Sequence, residues 1–136
     1  MKLNFAAAVI GLIVLSAACS RSLDNNPADT VTSGTWRVTL FTDSGNDETS
    51  DFAGYIFSFN NNGTMTATKN SVSQNGSWHV DNSSNKFIID LGPKVDSNKP
   101  LGELTDDWKI ISATDTEIKL TDDNASSNEF LTFTKN

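Results

Sequence analysis

Hydrophobic and polar positions alternate with period two through most of the chain after residue 33. The clearest stretch runs from Gly54 to Lys69, where Tyr55, Phe57 and Phe59 alternate with Ile56, Ser58 and Asn60, and Met65 and Ala67 alternate with threonines. This spacing predicts two half-buried antiparallel strands, and the intervening Asn62-Gly63 supplies the positive backbone angles of a tight turn. The same scheme predicts a first strand over 34–41, with Trp36, Val38 and Leu40 on one face. Further strands are expected from 76 to 80, 86 to 91, 107 to 111, 117 to 121 and 130 to 135, with Phe87, Ile89, Leu91, Leu131 and Phe133 inward. Polar connections are expected at 42–53, 70–75, 92–106 and 122–128. Pro93, Pro100 and Gly102 exclude a central strand from the third of these, and 100–104 reads as one helical turn. Eight short antiparallel strands in succession predict an all-β, up-and-down antiparallel barrel, which leaves no free edge; a β-sandwich is the alternative.

The opening residues follow a different pattern. Met1-Lys2-Leu3-Asn4 is positively charged, residues 5–15 are apolar, and Ser16-Ala17-Ala18 leads to Cys19, the one cysteine of the chain. That order reads as a secretory signal peptide over 1–18, too short for a typical membrane-spanning helix. Leu15-Ser16-Ala17-Ala18-Cys19 resembles the bacterial lipobox, with its leucine one position further from the cysteine than usual. The resemblance implies cleavage before Cys19 and lipidation of that residue, with several acyl chains giving stable membrane anchoring. Residues 19–33 are polar and read as a flexible tether, leaving 34–136 as the barrel domain.

The formal charge of the 136-residue chain is −7, which disfavours nucleic acid and anionic lipid headgroups as partners. A single domain of this size has a thin core. Its three tryptophans and seven phenylalanines (the eighth, Phe5, lies in the signal peptide) are therefore expected to serve the fold first.

Gly34-Thr35-Trp36 is similar to the Gly-x-Trp that opens lipocalins and other calycins. Together with Gly54-Tyr55-Ile56-Phe57-Ser58-Phe59, Asn62-Gly63-Thr64, Gly76-Ser77-Trp78, Pro100-Leu101-Gly102-Glu103-Leu104 and Trp108-Lys109-Ile110, it resembles the small lipocalin-like lipoproteins of the Bacteroidota. The resemblance spans 34–136 and implies a lipocalin-like barrel closed around Trp36. Lipocalins place a late arginine against the opening tryptophan; here the last strand offers Lys135. Strands of about six residues make a barrel about 20 Å tall, and eight strands enclose just enough room for side chains or one small ligand. With this many aromatics, a filled interior is expected.

Little in the chain suggests catalysis. His79 is the one histidine, alternates with Trp78 and Val80, and is expected to face outward. Gly-rich phosphate loops, His/Cys metal sets and serine-nucleophile motifs are missing from the sequence. Asp43, Asp47 and Glu48 lack the spacing of an EF-hand loop. The chain is therefore expected to be non-enzymatic, monomeric and without a cofactor or metal. In an up-and-down barrel the four long connections share one end, and this places Tyr55, Trp78 and Trp108 as a candidate ligand rim among clustered acids. The rim would take a small amphipathic ligand, or an envelope protein would dock there, while the lipid holds the chain to the outer membrane on the periplasmic side. A calycin-type inhibitor inserting residues 42–53 into a cleft is the alternative, and a purely structural envelope protein is another.

Overall fold

The computed structural model describes residues 26–136, and Cys19 with the signal peptide lies outside them. The chain forms β1 (Trp36–Asp43), β2 (Asn46–Asp47), β3 (Ile56–Phe59), β4 (Thr64–Lys69), β5 (Val72–Asp81), β6 (Lys86–Asp90), β7 (Asp106–Ala113), β8 (Glu117–Thr121) and β9 (Phe130–Lys135). Consecutive strands from β3 to β9 pair antiparallel, and β1 pairs with both β9 and β3. The result is the closed eight-stranded up-and-down barrel expected from the alternation. β2 is an extra two-residue strand folded back on the end of β1, Thr42 facing Asp47.

The two seams of β1 differ. Six residue pairs join it to β9, from Trp36↔Lys135 to Thr42↔Phe130, whereas only Trp36↔Phe57 joins it to β3. Farther along, the free edge of β1 is occupied by the loop that follows it. Glu48 N–H donates to Phe41 O at 2.9 Å, and Phe41 N–H donates to Thr49 Oγ1 at 2.8 Å.

Alternate inward side chains meet at the barrel axis. Phe59 lies edge-on to Trp78, Phe87 and Phe133, with ring centroids 5.6, 5.7 and 5.5 Å away, and Phe57 lies edge-on to Phe133 at 5.3 Å. Trp78 stacks on Phe87 at 5.7 Å. Offset and edge-on arrangements match the quadrupoles of the rings. Met65, Ala67, Ile89, Ile118, Leu120 and Leu131 are buried around this cluster.

Three expectations change. A register shift between Val38 and Leu40 flips the alternation of β1, so Phe41 is buried and Leu40 is 37 % exposed. An inserted residue reverses the facing of every later position on a strand. The expected connection 70–75 is a tight turn at Asn70 and Ser71, both with positive φ, and β5 already begins at Val72. Gln74 and Asn75 pair with Ala67 and Thr66, so this polar stretch is strand and not loop: Asn75 is exposed, while Gln74 is half-buried on the face it shares with Ala67. Finally, the ordered domain starts before residue 34. Asn26 caps a short helix, α1 (Pro27–Val31), its Oδ1 accepting from Ala28 N–H at 3.2 Å. Pro27 suits the first helical position, and Val31 is fully buried. Val31 is the large apolar residue that draws this otherwise polar stretch onto the barrel, so 26–33 is not free tether.

Candidate functional site

The closed barrel has two poles. The connections 44–55, 91–105 and 122–129 meet at one, with the Asn70-Ser71 turn; the other carries the turns near Asn62, Ser83 and Asp115, together with α1 and the end of β9.

At the loop pole the connections fold inward and seal the barrel. The 3-10 turn Thr49–Phe52 buries Phe52, whose ring lies edge-on to Phe41 with centroids 5.0 Å apart. The 3-10 turn Leu101–Leu104 buries Leu101 and Leu104, and Leu104 O accepts the indole N–H of Trp108 at 2.9 Å. Side chains hold this segment in place. Gln74 Nε2 donates to Leu91 O at 2.6 Å and to Asn98 Oδ1 at 3.0 Å. Thr105 Oγ1 accepts from Leu91 N–H at 2.9 Å and donates to Gly92 O at 2.7 Å. The third connection is tied to β1, with Thr42 Oγ1 donating to Asn128 O at 3.0 Å. Backbone groups that would otherwise need water are thus satisfied within the loops.

This ordered surface is acidic. Residues 42–55, 92–107 and 122–129 carry eleven carboxylates and two lysines. Lys94 is paired with Asp106 at 2.6 Å, and Lys99 lies 3.6 Å from Asp96 and 3.7 Å from Glu103. Lys86 reaches Asp123 at 2.7 Å. Glu129 sits among these groups. Burial pushes its carboxyl up to about 6; Lys94 pulls the other way, and Asp43, Asp122 and Asp106 add to the rise. Among the described residues, no set of three or more His, Cys, Asp or Glu is arranged to hold a metal ion.

The expected rim residues do not form one group. Tyr55 lies at the loop pole, half-buried, with Lys69 Nζ 5.0 Å from its ring centroid. Trp108 enters from the same pole but is fully buried. Trp78 is the seventh residue of β5 and lies toward the other pole, 6 % exposed, its indole N–H donating to Asn60 O at 3.0 Å. The earlier start of β5 causes this displacement. Trp36 is fully buried beneath α1, its indole N–H donating to Val31 O at 2.8 Å. All three indoles therefore face the interior and spend their one donor on backbone carbonyls. His79 is exposed on the outer face of β5, opposite Ile88.

At the second pole, α1, the β7–β8 turn and the end of β9 enclose a cleft of about 370 Å³, lined by Asp29, Thr30, Ser33, Asp115 and Lys135. Sequence reasoning missed it because four of the five residues lie in stretches that read as tether or turn. Lys135 Nζ stands 5.7 Å from the Trp36 ring centroid and donates to Ser33 Oγ at 3.2 Å. The meeting of Glu129 with Lys94 and Asp106 was also not legible, since Glu129 comes from a different connection from the other two.

No protein-family model matches the chain, and no curated protein sequence does. Among solved structures, a DUF4847 family protein from Bacteroides vulgatus is similar, with a TM-score of 0.57 and 17% identity over 78% of this chain and 94% of that one. A protein from Burkholderia xenovorans, solved by NMR, aligns over 100% of this chain and 98% of its own at 16% identity, with a TM-score of 0.48. The first similarity agrees with the small closed barrel described above.

Proposed function

We propose that the chain is a non-enzymatic, lipid-anchored module of the cell envelope that recognises a basic envelope partner through its loop pole. The observation that carries this reading is the sealed, acidic end of the barrel. Phe52, Leu101 and Leu104 are buried beneath connections whose surface bears an excess of carboxylates. Loops held on a rigid scaffold bind without a large ordering cost, and one sign of charge over a surface steers an oppositely charged partner to it. A protein partner is favoured over a small amphipathic ligand because Trp78 and Trp108 face the core and use their indole donors there. Lipidation of Cys19 would hold the chain to the outer membrane, on its periplasmic side. The lipocalin-like reading draws support from Lys135, which stands over Trp36 where that resemblance places a cation.

Charge neutralisation tests the reading. The full-length chain and a variant carrying Asp47→Asn, Asp51→Asn, Asp107→Asn and Asp123→Asn would each be expressed in the native host and cross-linked in intact cells. The first is expected to give a discrete adduct that weakens as salt rises, and the variant to lose it at unchanged melting temperature. An adduct of equal yield from both proteins would refute recognition by this pole.

A further inference from the structure

The turn between β3 and β4 carries chemistry that the barrel does not need. Asn62-Gly63 sets an amide side chain before a glycine, the residue that shields its own backbone nitrogen least. Asn62 is exposed, and Gly63 has a φ of 82°, with Trp78 O, 3.5 Å away, the nearest atom to the place of a Cβ. The Asn62 side chain is folded forward along the chain. Its Oδ1 accepts from Thr64 N–H at 3.1 Å and from Thr64 Oγ1 at 2.7 Å. An asparagine bonded to the residue two ahead brings its amide carbon close to the intervening backbone nitrogen, here that of Gly63. The two Thr64 donors also face the oxygen that gains charge when that nitrogen adds to the amide carbon, as the donors of an oxyanion hole do.

The same dipeptide occurs once more in the sequence, in the opposite setting. Asn75-Gly76 lies inside β5, paired with Thr66 and Met65 of β4. Asn75 Oδ1 accepts from Thr66 Oγ1 at 3.2 Å, so this side chain reaches across the strands and not forward along its own. Gly76 is packed against Asp90 O so closely that a Cβ would not fit. Ring closure there requires Asn75 to leave its extended backbone and β5 to part from β4. At the β3–β4 turn the nitrogen is held by Gly63 N–H donating to Asn60 O at 3.0 Å, in an exposed turn that opens far more readily than a strand in mid-sheet.

We infer that Asn62 is a self-modifying site, at which the Gly63 nitrogen closes on the Asn62 amide carbon and the amide becomes an acid. The Gly63 nitrogen gives its proton to water and bonds to Cγ; the Cγ–Nδ2 bond breaks, and Nδ2 takes up a proton and leaves as ammonia. Water then adds to one carbonyl of the resulting succinimide and breaks that carbonyl's bond to the Gly63 nitrogen. Opening at Cγ leaves an aspartate. Opening at the main-chain carbonyl leaves an isoaspartate, with an extra carbon in the backbone. The turn also anchors Trp78, whose backbone N–H donates to Gly63 O at 2.9 Å and whose indole donates to Asn60 O at 3.0 Å. Lengthening the backbone between those two carbonyls therefore loosens a core ring. The loop pole takes no part in this, so the modification and the recognition proposed above stand or fall separately.

The test incubates the folded full-length chain in mild detergent and mildly alkaline buffer, and follows both dipeptides by mass-spectrometric peptide mapping. Asn62 is expected to convert at least about tenfold faster than Asn75, giving both aspartate and isoaspartate. In concentrated urea, where no fold separates them, the two are expected to convert at rates within about twofold of each other. Thr64→Val is expected to slow Asn62 severalfold, and Thr64→Ser to keep the parent rate. The inference is overturned if Asn75 converts as fast as Asn62 in the folded chain, if Asn62 stays intact there while it converts in urea, or if Thr64→Val leaves the rate unchanged or raises it.

Discussion

Trp36 donates its indole N–H to the carbonyl of Val31 at 2.8 Å, five residues back along the chain. The bond fixes α1 over one pole of the barrel and places Val31 in the core. Removing the donor while keeping a ring, as in Trp36→Phe, strands a buried carbonyl and is expected to cost about 1–3 kcal/mol. Trp36→Ala adds a cavity and should cost about 3–5 kcal/mol. Urea unfolding measures both, and equal, small losses would show that α1 contributes nothing to the fold.

The other two tryptophans test whether burial or recognition explains them. Trp78→Ala and Trp108→Ala are each expected to cost about 3–5 kcal/mol, because both rings pack in the core and both N–H groups are used on backbone carbonyls. Full stability in either variant would return that residue to the role of a binding rim.

Gly76 tests how tightly β5 and β6 approach. A Cβ at this position would run into the carbonyl oxygen of Asp90 and the side chain of Leu91. Gly76→Ala should therefore destabilise by about 1–3 kcal/mol through a forced backbone shift. A melting temperature equal to that of the parent chain would contradict the close approach.

Glu129 gives the pH prediction. Burial raises its carboxyl from 4.5 to about 6, so between those values the folded chain holds a proton that the unfolded chain has released. Protonation then favours the fold, and this group's contribution falls as pH rises from about 4.5 to 6. Glu129→Gln is expected to be more stable than the parent at pH 7, by at most about 1 kcal/mol because solvent screens a half-exposed group, and equal to it near pH 4. Paired urea titrations at the two pH values check the sign; a variant less stable at pH 7 would reverse it.

Much of this architecture was legible in the sequence, and the exceptions have identifiable causes. Tyr55-Ile56-Phe57-Ser58-Phe59 and Ile118-Lys119-Leu120 alternate cleanly, and their facing followed directly. Val38 to Phe41 did not, because a bulge changes the phase of alternation without changing the residues. Ser73, Gln74 and Asn75 read as loop because all three are polar, although their backbones pair fully with β4. Pro27 to Val31 read as tether because one valine is a weak apolar signal until Trp36 is seen to reach back to it. The acids of the loop pole were visible as a list, but their rigidity was not, since it comes from distant partners such as Gln74 with Leu91 and Thr42 with Asn128. The cleft at the opposite pole joins residues 29–33, 115 and 135, a separation in sequence that no local pattern reports.

The direct test of recognition through the loop pole is site-specific photo-cross-linking in the native host. A photoreactive side chain would be placed at position 107 in one protein and at position 79, on the outer barrel wall, in another. A single salt-sensitive adduct from position 107, and none from position 79, is the predicted result. Adducts from both positions alike, or from position 79 alone, would contradict the claim that the acidic end of the barrel is the surface that binds.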